Sequence, residues 1–176
     1  NERSSWDAHW SEISQYLLPV NGRYFTSDRN LGNKRFNDIY DSSATRALRT
    51  LSAGMMSGMT SPSRPWFRLA LPDRDLMQSQ NVKAWLNTVT ELLLDVFARS
   101  NSYRVLHSLY DELGAFGTGA ALLAEDARNV VHMQPFTAGE YAIATDWSGN
   151  VVTLYREFDK TVGEIVREFG RDNCSP

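Results

Sequence analysis

The hydrophobic period of this chain changes at Gly117, Thr118 and Gly119, and that break limits its possible folds more than any other feature. Upstream, apolar residues recur at helical spacings of three and four; downstream they fall into short runs separated by polar turns. N-terminal helices including a long helical hairpin, then a small antiparallel β-sheet, then a C-terminal helix make an α+β protein.

In the first half, Trp6, Trp10, Ile13 and Leu17 line one helical face, and Pro19 ends that helix. Residues 20–38 are rich in Asn, Gly and Arg without a sustained period, which predicts a long interaction loop. Asp41, Ser42 or Ser43 caps the next helix, whose apolar stripe is Ala44, Leu48, Leu51, Met55 and Met59. Gly54 and Gly58, one turn apart on it, predict a close backbone approach to a neighbour. Pro62 and Pro65 break this helix, and residues 66–71 alternate as a short strand. Residues 81–99 carry the broadest apolar face: Val82, Trp85, Leu86, Val89, Leu92, Leu93, Val96 and Phe97 are all expected in the core. After Ser100, Asn101 and Ser102 a further helix, marked by Tyr103, Leu106, Tyr110 and Leu113, runs to about Gly114 and forms a hairpin with its predecessor.

Strands are predicted at 120–125, 130–135, 140–146 and 151–158, with a hairpin loop at 146–150 in which Gly149 supplies a positive φ. Thr161 and Glu164 form a capping box opening the last helix, with Val162, Ile165, Val166 and Phe169 on its apolar side and Gly170 at its end. Residues 1–118 are therefore expected as a mainly helical region with the loop at 20–38, and 119–176 as the sheet and terminal helix, together one compact unit. A start at Asn1 and a stop at Pro176 directly after a helical pattern suggest a piece of a longer protein.

A chain of 176 residues can bury ~70% of its unfolded surface, enough for a real core. No apolar run approaches the ~18 residues of a membrane span, and the first segment lacks a secretory pattern, so synthesis in the cytoplasm without membrane association is expected. Cys174 is the single cysteine and cannot form an intrachain disulfide. A formal net charge of -3 argues against a general grip on nucleic acid, which needs many cation–phosphate contacts.

Reactive groupings are sparse. His9, His107 and His132 fall in separate elements with no metal-ligand spacing, so neither a metal nor another cofactor is expected. Gly114, Gly117 and Gly119 sit between a helix and a strand, the reverse of a phosphate-binding loop. Ser57 in the 54–58 run is not the central serine of a nucleophile elbow. The acidic pairs Asp73/Asp75, Asp111/Glu112 and Glu125/Asp126 read as solvated turns and helix ends, with a small metal-dependent hydrolase or nuclease as a rival reading. No catalytic residue is assigned. Arg23, Tyr24, Phe25, Arg29, Lys34, Arg35 and Phe36 interleave cations with aromatics. That chemistry suits a subunit contact first and single-stranded nucleic acid second.

Three stretches together resemble the N-terminal part of the head-to-tail connecting, or portal, proteins of short-tailed bacteriophages. The first is 3–19, with Trp6, Trp10, Ile13, Leu18 and Pro19. A second runs from Ile39, Tyr40, Asp41, Ser42, Ser43 and Ala44 through Leu51, Ser52, Ala53, Gly54, Thr60, Ser61 and Pro62 to Arg64, Pro65, Trp66 and Phe67. The third joins Gly117, Thr118, Gly119 and Ala120 with Gly139, Glu140, Tyr141, residues 146–149 and the helix at 161–170. The resemblance implies a structural subunit of a virion or prophage and a fragment of the outer wing. It also implies a ring, typically of twelve copies, at one capsid vertex for DNA packaging and ejection. Its implied partners are capsid, packaging-motor and tail proteins, and double-stranded DNA passing through the ring. A separate motor would hydrolyse ATP.

Overall fold

The computed structural model describes residues 3–19, 39–157 and 160–173. Its elements are helices α1 (Arg3–Tyr16), α2 (Ser43–Met59), α3 (Gln80–Arg99) and α4 (Ser102–Phe116), strands β1 (Ala120–Asp126), β2 (Val130–Phe136), β3 (Tyr141–Thr145) and β4 (Val151–Arg156), and helix α5 (Val162–Phe169). Single 3₁₀ turns lie at Leu76–Gln78 and Arg171–Asn173. This is the expected α+β order. The chain forms two compact units, residues 1–139 and 140–176.

In the first unit α4 is the hub, touched by α1, α2, α3 and β2. Its inward side carries Val105, Tyr110 and Phe116, which join Leu48, Leu86, Phe136 and Ala138 in the buried core. Burying such side chains stabilises by about 1.5–3 kcal/mol each before the entropy of ordering them is subtracted. Ser100 and Asn101 link α3 to α4 as the hairpin expectation requires, but α4 lies along α2 far more than along α3. Gly114 marks the close approach: a Cβ there would stand 2.9 Å from Leu48 Cδ1 and 3.1 Å from Leu51 Cδ2, so a larger residue would have to push those leucine side chains aside. Among the described residues, the close approach predicted at Gly54 and Gly58 is not found, since a Cβ at either would meet nothing within 4 Å.

Other details also depart from expectation. α4 continues past Gly114 to Phe116 and is closed by Gly117 in the left-handed region at φ 73°. Residues 66–71 form no strand. Trp66 and Phe67 instead cluster with Phe97, at ring-centroid distances of 6.1 and 6.0 Å, and the Leu69 N–H donates to Thr90 Oγ1 at 3.5 Å. The Leu71 N–H likewise turns to a side chain, Met77 Sδ at 3.4 Å, and not to a sheet edge. On α3 only Leu86 and Thr90 are buried, whereas Trp85 and Leu92 are 62% and 60% exposed. Within this chain α3 is covered along a seam narrower than its apolar stripe.

The four strands do not make one sheet. Among the described residues β1 pairs only with β2, and β3 only with β4, as separate antiparallel hairpins. In the second unit, the β3–β4 register shifts between Ala144 and Thr145. Asp146 organises the loop, accepting from the N–H groups of Ser148 and Asn150, each at 2.9 Å, while Gly149 takes φ 83° as its position demands. α5 opens with the predicted capping box: the Glu164 N–H donates to Thr161 Oγ1 at 3.4 Å, and Thr161 N–H to Glu164 Oε2 at 2.8 Å.

Candidate functional site

Serine, aspartate and histidine meet once among the side chains described, where α2 faces α4. Ser52 is fully buried, and its hydroxyl stands 2.5 Å from Asp111 Oδ1 and 3.0 Å from the Leu48 carbonyl. His107 Nδ1 lies 3.6 Å from Asp111 Oδ2, one helical turn away. A nucleophilic triad needs the imidazole against the hydroxyl and the carboxylate behind the imidazole. Here the carboxylate accepts the hydroxyl's hydrogen bond directly, with no imidazole between them, and Ser52 faces no solvent. The arrangement is a strut between two helices.

A second anchor starts one residue along. Glu112 projects about 100° around the helix from Asp111, is 4% exposed, and accepts from Thr137 Oγ1 at 2.8 Å and the Ala138 N–H at 3.2 Å. It ties the exit of β2 to α4. A third anchor is Asn101, whose amide brackets one residue of β2: Nδ2 donates to the Met133 carbonyl at 2.7 Å, and Oδ1 accepts from the Met133 N–H at 2.9 Å. These two contacts reproduce what a neighbouring strand would offer. A fourth contact, 2.9 Å between the hydroxyls of Thr60 and Tyr110, pins the end of α2 to α4.

The remaining acidic pairs serve local turns. Asp73 accepts from the N–H groups of Asp75 at 2.9 Å and Leu76 at 3.3 Å, opening the 3₁₀ turn. Asp126 is held below its usual range, first by the Arg128 N–H and next by the Asn129 side chain. An acid so stabilised as its anion is a poor proton donor. Among the described residues no group of three His, Cys, Asp or Glu side chains could hold a metal ion. No described helix is long and apolar enough to cross a membrane. An open groove of about 470 Å³ runs beside the start of α3, lined by Arg68, Leu69, Met77, Gln80, Lys83 and Leu86 among others. It gathers no acid, base and nucleophile.

The predicted contact residues Arg23, Tyr24, Phe25, Arg29, Lys34, Arg35 and Phe36 lie outside the described residues. The pair Asp111/Glu112 is not the solvated helix end its sequence suggests, since Glu112 is buried and bonded to Thr137 and Ala138, and the anchoring roles of Glu112 and Asn101 carry no motif in the sequence. Glu112 did leave a trace there, since 105, 109, 112 and 116 share one helical stripe and Glu112 is its one charged member. Asn101 stands at the N-cap of α4, where an asparagine reads as a cap, but it makes no side-chain cap bond because its amide is turned to β2.

Much of the surface is apolar. Among the described residues twenty large hydrophobics are exposed, including Trp85 and Leu92 on α3, Leu122, Leu123 and Val130 on the first hairpin, and Ile143, Val152 and Leu154 on the second.

A family model described as "Bacteriophage head to tail connecting protein" matches residues 1–176. The "Probable portal protein" of Bordetella phage BPP-1 is 60% identical over 174 residues, covering 99% of this chain and 31% of that protein. The "Portal protein" of Salmonella phage epsilon15 is 45% identical over 175 residues, again 99% of this chain and 32% of the relative. The chain thus spans about a third of the length of these curated relatives. Matched by that family model from end to end, the chain belongs to the bacteriophage head to tail connecting protein family.

Proposed function

We propose that this chain is the N-terminal part of a portal subunit, a structural protein of the virion that acts by assembling rather than by catalysis. The observation that carries the reading is the family match along the whole chain. The geometry supports it: the one Ser-Asp-His grouping is a buried strut, and the polar side chains placed with most care, Asn101, Asp111 and Glu112, are spent on fixing elements to one another. Exposed helix faces such as Trp85 with Leu92 offer the large anchors that protein interfaces use.

Copies would join head to tail, each contributing two different faces, and close into a ring of twelve at one vertex of the capsid. Tail proteins and the packaging motor would bind this ring, and duplex DNA would pass through it in packaging and ejection. The net charge of -3 suits a conduit, because a channel lined to neutralise every phosphate would hold DNA instead of letting it slide. Arg23, Tyr24, Phe25, Arg29, Lys34, Arg35 and Phe36 are proposed as subunit contacts. Negative-stain electron microscopy of the full-length protein tests the reading. Closed rings of uniform diameter are expected; a field of single subunits at high concentration would refute it.

A further inference from the structure

The first hairpin is closed along one edge and open along the other. On β2, the Met133 backbone is already bracketed by Asn101, and Pro135 has no N–H to offer. β1 has neither device. Its seven residues, Ala120–Asp126, include no proline or lysine, its register with β2 is unbroken, and among the described residues no third strand pairs with it. Natural sheets blunt an exposed edge with those devices, or cover it, because an open apolar edge templates pairing with any passing strand.

β1 is also apolar on both faces. Successive side chains of a strand point to opposite sides, so Leu122 and Leu123 occupy different faces, and they are 50% and 60% exposed. A run such as Ala120, Ala121, Leu122, Leu123, Ala124 belongs to a strand covered on both faces and paired on both edges.

We infer that an extended segment of the same polypeptide adds a third strand to the outer edge of β1. The segment comes from the part that the relatives carry beyond the matched N-terminal third. About two thirds of each relative lies outside the match, ample for a returning strand. A strand from the same chain also covers the edge in the free subunit. An edge left open until assembly would pair copies edge to edge in variable register. The inference rests on family membership and not on ring formation, so a full-length protein that never forms rings would still show it.

Two measurements on the full-length protein test it. Residue-resolved hydrogen exchange distinguishes an edge strand, in which alternate amides exchange freely, from an interior one. Every amide of 121–126 is expected to be slowed about 100-fold or more, and fast exchange at alternate positions would overturn the proposal. Benzoylphenylalanine in place of Leu123 then identifies the occupant by photo-cross-linking. A product of single-chain mass, joined to a peptide beyond residue 176, is expected. A product of double mass would assign the edge to a second copy, and a cross-link within residues 1–176 would assign it to this segment; either overturns the intrachain strand proposed.

Discussion

The buried hydroxyl of Ser52 stands 2.5 Å from Asp111 Oδ1, joining the middle of α2 to the middle of α4. Because α4 is the hub of the first unit, this bond and the glycine contact at Gly114 together set where α2 sits. Ser52→Ala removes the donor and leaves a half-buried carboxylate short of a partner, at an expected cost of ~1–3 kcal/mol. Asp111→Asn keeps an oxygen in place and should cost less than Ser52→Ala. Urea denaturation of both variants checks the order.

Asn101 predicts a local effect as well as a global one. Asn101→Ala strips both partners from the Met133 backbone, and the expected loss is again ~1–3 kcal/mol. The Met133 amide should exchange faster in the variant, while amides in α2 keep their protection relative to global stability. Unchanged exchange at Met133 would mean that the side chain does not close that edge.

Neighbouring residues on α3 should behave in opposite ways. Leu86 is 6% exposed and Trp85 is 62% exposed. Leu86→Ala should destabilise by ~2–5 kcal/mol through the cavity it leaves. Trp85→Ala should shift the thermal melt of residues 1–176 by no more than ~0.5 kcal/mol. Equal losses would place Trp85 in the core after all.

Val130 holds φ 70° at the turn between β1 and β2, a conformation that costs a β-branched residue about 1–2 kcal/mol. Val130→Gly removes that strain and adds the greater chain entropy of glycine, ~0.5–1 kcal/mol. A melting temperature at or slightly above the parent is expected, and a clear drop would show that the exposed valine side chain contributes packing.

Acid should loosen the second unit. Asp146 is held below its ordinary value, first by the Ser148 hydroxyl and then by the Asn150 N–H, and Glu164 is held low by the N–H and then the hydroxyl of Thr161. A folded pKa below the unfolded one gives stability that is complete above the unfolded value, near 4 for these side chains. That stability is lost as pH falls through the folded value. The difference in melting temperature between the parent and Asp146→Asn should therefore hold steady above about pH 5 and shrink below about pH 4. A difference that grew on acidification would reverse the assignment.

Period and punctuation made the element order legible, along with the capping box of Thr161 and Glu164 and the positive φ of Gly149. Those signals are local, set by residues a few positions apart. Which apolar positions would be buried was not legible, because burial depends on what lies opposite. Trp85 and Leu86 are adjacent on one apolar stripe, yet this chain covers only the second. Residues 66–71 alternated like a strand, but a strand also needs a free edge beside it, and Trp66 found Phe97 instead. Similarly, Gly54 and Gly58 looked like the helix contact, while the glycine that permits it, Gly114, lies on the facing helix. At the site level, the roles of Asn101 and Glu112 required knowing that β2 returns across α4.

The central claim is that the protein works by joining copies of itself, and the mass of the full-length protein in solution tests it most directly. Light scattering across a dilution series should give one dominant species whose mass is a fixed multiple of the subunit, twelve being the number proposed. A single-subunit mass at every concentration would contradict the account.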